Sequence, residues 1–68
     1  MGWTYRIVKT KVKGEIRYGI HEVHTDDGEL SWTKNPVTVD TFYYPEDLRE
    51  ILENMLKACD KPIVDGTK

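Results

Sequence analysis

The residues best suited to chemistry lie in one short stretch: His21, Glu22, His24, Asp26 and Asp27. Imidazoles and carboxylates at close spacing could hold a metal ion or move protons. The stretch reads as a strand, and on a strand residues i and i+3 point to opposite faces. His21 and His24 therefore cannot chelate one ion together. Asp26-Asp27-Gly28 lacks the further ligands of a calcium loop and reads as a turn. Glu22 and His24 do share a face, a pairing that acid–base catalysis could use. No nucleophile, oxyanion-binding loop or cofactor motif accompanies them. No catalytic residue, metal site or cofactor is therefore expected, and the chain reads as non-enzymatic. Cys59 falls on an apolar helical stripe near a helix C-terminus, where the dipole disfavours a thiolate; it is expected to be buried and structural.

Two surfaces remain as candidates. The first is a shallow pocket of Tyr5, Glu22, His24 and Trp32, which could take a small cationic or hydrogen-bonding group. A carboxylate on the core side needs partners, such as the Tyr5 hydroxyl, the Trp3 or Trp32 indole N–H or a backbone amide, because leaving it unpaired costs several kcal/mol. The alternative is that Glu22 and His24 lie wet at the rim of the helix footprint. The second is a basic surface of Arg6, Lys9, Lys11, Lys13 and Arg17. Net charge is −2, but it is unevenly spread. Residues 1–20 carry five basic groups against Glu15 alone, and residues 21–68 carry five basic against eleven acidic groups. A basic hairpin can face phosphate, an acidic partner or water.

The elements that position these residues follow from periodicity. Residues 3–12 and 16–25 are rich in β-branched and aromatic types, and Lys13-Gly14 between them suits a two-residue turn. That turn pairs Lys9 with Tyr18, Ile7 with Ile20 and Tyr5 with Glu22. Trp3, Tyr5 and Ile7 then share a face with Ile16, Tyr18 and Ile20, so the apolar faces agree. A third strand spans about 29–33. Its register is ambiguous. A two-residue turn at Asp27-Gly28 sets Trp32 opposite Val23. A three-residue turn at 26–28 sets Trp32 opposite Glu22 and Leu30 opposite His24. The second is preferred, because it places Leu30 and Trp32 on the face of Tyr18 and Ile20.

Asn35-Pro36 ends the strand, and residues 37–40 could form a short fourth one. Pro45 opens a helix over about 45–59. Leu48, Ile51, Leu52, Met55, Leu56 and Cys59 make its apolar stripe. Pro62 stops it; Ile63 and Val64 are expected against the core, and residues 65–68 loose. The fold class is α+β: a three-stranded antiparallel meander, with or without the short fourth strand, packed on one C-terminal helix as a two-layer sandwich within a single domain, 1–68. The sheet face of Thr4, Arg6, Val8, Thr10, Arg17, Gly19, His21, Val23 and Thr25 is expected to lie bare, with the first strand or residues 37–41 as an open edge.

Taken together, Trp3-x-Tyr5-Arg6, Tyr18-Gly19-Ile20-His21-Glu22-Val23, Asp27-Gly28, Trp32-Thr33-x-Asn35-Pro36, Pro45-Glu46-Asp47-Leu48-Arg49, Met55-Leu56-x-Ala58 and Lys61-Pro62-Ile63-Val64 make a pattern running from Trp3 to Val64. It resembles a group of small stand-alone bacterial and phage-associated proteins with no assigned activity. The group usually has Ser or Thr before the helix, where Tyr43-Tyr44 stand here. More loosely, three strands and a helix are similar to antitoxin-type partial double-stranded-RNA-binding folds, a likeness of fold that does not fix function.

Sixty-eight residues with one cysteine and 38% hydrophobic content form one domain with a small core and no internal disulfide. No apolar run approaches the roughly 20 residues of a membrane span. Without a signal-peptide h-region, and with a lone cysteine, the cytoplasm is the expected location. The leading functional expectation is an interaction module that self-associates through its bare sheet face or edge, or binds an unidentified bacterial or phage protein. The alternative is a nucleic-acid-binding regulator using the basic hairpin. That reading is weakened by the absence of aromatics from the bare face and by a pI near 5.6.

Overall fold

A computed structural model describes residues 2–39 and 41–67. The elements run β1 (Gly2–Val12), β2 (Glu15–Asp26), β3 (Glu29–Trp32), α1 (Pro45–Ala58) and β4 (Val64–Asp65). The sheet order is β3-β2-β1-β4. β1, β2 and β3 form an antiparallel meander, and β4 joins β1 in parallel. The fold is therefore α+β, a mixed four-stranded sheet with one helix.

The first hairpin has the anticipated register, with Ile7 opposite Ile20 and Tyr5 opposite Glu22. Lys13 (φ 50°) and Gly14 (φ 83°) both lie in the left-handed region. This backbone matches the right-handed strand twist, and glycine reaches it without strain.

The second hairpin differs from expectation. Asp27 (φ 51°) and Gly28 (φ 82°) make the same kind of two-residue turn, and Val23 stands opposite Trp32. Trp32 and Leu30 thus lie on the face of Val8 and Val23, away from Tyr18 and Ile20. The three-residue turn would bury Trp32 on the helix side only if the core were concentrated there. It is not. Val8, Val23 and Val64 are buried together, and Trp32 packs against them.

The face expected to be bare is therefore covered in its middle. Arg6 Nε and Nη2 donate to the Pro62 carbonyl at 3.0 and 2.6 Å, drawing the post-helix chain alongside β1. Val64 then pairs with Val8, and the Gly66 N–H donates to the Lys9 carbonyl at 2.7 Å. Gly66 is needed there for its small size. A Cβ would lie 2.9 Å from the Lys9 carbonyl oxygen and 3.0 Å from the Trp32 ring. Residues 65–67 are thus held rather than loose; Lys68 lies outside the described residues. The fourth strand is β4, and residues 37–39 form none; Asp40, the end of the expected segment, is outside the described residues. β1 is not an edge over Val8–Lys9, where β4 flanks it.

The helix lies on the opposite face, along β1. Pro45 occupies its first turn with Glu46 and Asp47, and Lys57 its last, in accord with the helix dipole. Tyr44 precedes it without a side-chain capping bond. Ile51 and Met55 turn toward the sheet beside Tyr5 and Ile7, and Ala58 is fully buried.

Candidate interaction surface

The expected pocket does not assemble. Tyr5 and Glu22 are cross-strand neighbours on the helix side, both half-buried. His24 stands opposite Trp3 on the same face but is exposed. Trp32 lies on the other face, against the valine core. A site of all four would need Trp32 to cross the sheet, which the Asp27-Gly28 turn forbids.

The basic set also divides. Lys9 and Lys11 share the helix-side face, and Arg6 and Arg17 the other. Arg6 is committed to Pro62, and Arg17 pairs with Glu15 at 2.9 Å. Lys13 sits at the turn. What the structure does bring together is Lys9 opposite Tyr18 and Lys11 opposite Ile16, with Tyr18 61% exposed. An open aromatic thus accompanies the lysines after all.

Among the described residues His21 is the buried polar residue of the core, at 3% exposure. Its Nδ1 lies 2.8 Å from the Thr33 carbonyl, a distance at which the Nδ1–H tautomer donates. The ring ties β2 to the chain leaving β3, which passes beside Gly19 at Pro36. This is a structural role. Among the described residues, no three His, Cys, Asp or Glu side chains converge as metal ligands would.

The helix exposes what the sequence expectation assigned to the core. Its apolar stripe splits in two. Ile51, Met55 and Ala58 turn toward the sheet, while Leu48, Leu52 and Leu56 are 36%, 47% and 69% exposed. These three leucines, Pro45, Arg49 and Glu53 border a shallow groove of about 320 Å³. The split follows from the sheet's geometry: α1 lies over β1, and β2 keeps Ile16 and Tyr18 open. Cys59 is exposed rather than buried, one turn beyond Met55, whose carbonyl accepts from its thiol at 3.8 Å. Ile63 is exposed as well, because Val64 takes the inward position of β4.

Comparison of the chain with protein-family models, with curated proteins and with solved structures finds no match in any of the three. The resemblance drawn from the sequence stands on its quoted residues alone. Among the described residues no helix is long and apolar enough to cross a membrane.

Proposed function

We propose that this protein is a non-enzymatic interaction module that pairs with a second copy of itself through the outer face of α1. The observation that carries this reading is the exposed row Leu48, Leu52, Leu56 at i, i+4 and i+8. Fully burying one such leucine contributes about 1.5–3 kcal/mol. A 68-residue chain with four buried apolar side chains among the described residues gains a large share of its stability from covering that row. The radius of gyration supports a molecule short of cover: 12.9 Å, against about 11 Å for a compact chain of this length.

A second copy suits the row because the row is symmetric about Leu52. Antiparallel packing across a two-fold axis there sets Leu48 against Leu56 of the other copy, twice. The same operation brings Arg49 close to the other copy's Glu53, and the reverse. Within one helix these two side chains already pair at 3.0 Å, so their charges extend into a four-membered network. Such self-complementarity is what a two-fold interface requires.

The surface differs from the sheet face first expected, since Trp32, Val64 and Gly66 fill the middle of that face. Sedimentation equilibrium at micromolar concentration tests the reading. Wild type should run at twice 7.9 kDa, and Leu52→Asp as a monomer with an unchanged helical spectrum. A strict wild-type monomer would reject it.

A second reading has one observation in its favour, the alignment of Lys9 and Lys11 with exposed Tyr18 on one face. A basic strip beside an open aromatic can hold a single-stranded nucleic acid by charge and stacking. It predicts binding that weakens steeply with salt, and unchanged electrophoretic mobility of short RNA and DNA at low salt would remove it.

A further inference from the structure

The N-terminal half of β1 carries a sheet edge that β4 does not reach. The Lys9 carbonyl points away from β2, since it accepts from Gly66 on the β4 side. Backbone direction alternates along a strand of an antiparallel pair. The N–H and C=O groups of Trp3 and Tyr5 therefore point to that same outer side. Pairing with β4 covers only Val8 and Lys9. Among the described residues, nothing bonds the outward groups of Trp3 and Tyr5. Unpaired edges of this kind accept an added strand.

A cleft of about 210 Å³ lies at this edge, lined by Trp3, Thr4, Tyr5, Asn54, Lys57 and Lys61. Thr4 belongs to one sheet face and Trp3 and Tyr5 to the other, so the cleft straddles the edge itself. Its wall is the end of α1. Lys57 and Lys61 form no ion pair among the described residues, and no carboxylate lines the cleft. Trp3 is 50% exposed and is held by an edge-on contact with Tyr5, ring centroids 5.2 Å apart. The Arg6–Pro62 bonds fix the segment that carries Lys61. An adjoining cleft shares Trp3, Tyr5 and Asn54 but carries Asp47 and Glu50. The groove is therefore basic at one end and acidic at the other.

We infer that this edge binds an extended acidic peptide segment of another protein by strand addition. The outward groups of Trp3 and Tyr5 bond its backbone, and Lys57 and Lys61 take its carboxylates. Asp47 and Glu50 exclude acidic side chains from the far end. The site is separate from the leucine row of α1, so it stands whether or not the protein pairs with itself.

The test is a heteronuclear NMR titration of the full chain in the Leu52→Asp background. The probe is the peptide acetyl-Val-Glu-Val-Glu-Val-amide. The expected result is a saturable shift of the Trp3 and Tyr5 amides. Lys57→Glu should weaken binding at least tenfold while leaving the spectrum dispersed. The lysine counterpart of the peptide, and the acidic peptide N-methylated at alternate residues, should each bind at least tenfold more weakly. No shift at Trp3 and Tyr5 up to millimolar peptide would overturn the inference. So would equal binding of the lysine or N-methylated peptide, or an equal response to glutamate alone.

Discussion

Gly66→Ala is the sharpest probe of how the C-terminal segment closes the core. The added methyl would meet the Lys9 carbonyl oxygen at 2.9 Å, the Trp32 ring at 3.0 Å and a Val8 methyl at 3.1 Å. The first neighbour is backbone, and the other two belong to the buried cluster, so none can swing aside cheaply. Either the tail lifts, losing the Gly66–Lys9 hydrogen bond and the β4 pairing, or Trp32 and Val8 shift. Overpacking of this kind typically costs about 1–3 kcal/mol. A domain of 68 residues has a total stability of roughly 3–10 kcal/mol, so this loss is large. For a domain of this size a loss of about 2 kcal/mol lowers the midpoint by roughly 8–16 °C. Thermal denaturation followed by circular dichroism measures it, with Gly2→Ala as the control. A Cβ at Gly2 meets nothing within 4 Å, so the control should melt within a few degrees of wild type. If Gly66→Ala melts with the control, the tail is not packed on Val8 and Trp32, and the account of the covered face is refuted.

Other outcomes follow from the same geometry. His21→Ala should cost about 1–3 kcal/mol in denaturant unfolding, because the Thr33 carbonyl loses its donor and a buried ring leaves a void. Gly28→Val should cost about 1–2 kcal/mol and broaden the β3 amide resonances, since a β-branched residue resists φ near 82°. Arg6→Met keeps the stem but removes both bonds to Pro62; about 1 kcal/mol is expected, with faster hydrogen exchange at Gly66. Cys59 should react with a thiol reagent in the native protein as quickly as after unfolding, to within about tenfold, given its exposure.

Much of the architecture was legible in the residues, and the places where it was not share one cause. The first hairpin could be read because Lys13-Gly14 and the apolar alternation on both strands demand one register. The helix could be read because Pro45, the acidic first turn and the leucine spacing agree. The second hairpin turned on a choice between local turn chemistry and assumed burial. Asp27-Gly28 prefers a two-residue turn; the contrary choice presumed that all burial is on the helix side. That presumption failed because β4 has two residues and pairs in parallel from the far end of the chain, a contact no local pattern announces. Once Val64 and Gly66 are placed, Trp32 belongs beside Val8 and Val23, and His21 becomes an interior tie. The same displacement explains the candidate site. The pocket of Tyr5, Glu22, His24 and Trp32 depended on the wrong register, and the leucine row is exposed because α1 packs chiefly on β1 through Ile51, Met55 and Ala58. The first strand was legible as an open edge, but which part of it stays open, the part at Trp3 and Tyr5, depends on where β4 stops.

The central claim, pairing across a two-fold axis at Leu52, is tested most directly by site-directed crosslinking in a Cys59→Ser background. A Leu52→Cys substitution sets each new thiol beside its symmetry mate. Mild oxidation at micromolar concentration should then give a covalent dimer within minutes, while Lys13→Cys at the distant hairpin turn stays monomeric. Leu48→Cys and Leu56→Cys should crosslink when mixed and far less when each is alone. Failure of Leu52→Cys to crosslink, or crosslinking no faster than Lys13→Cys, would contradict the account.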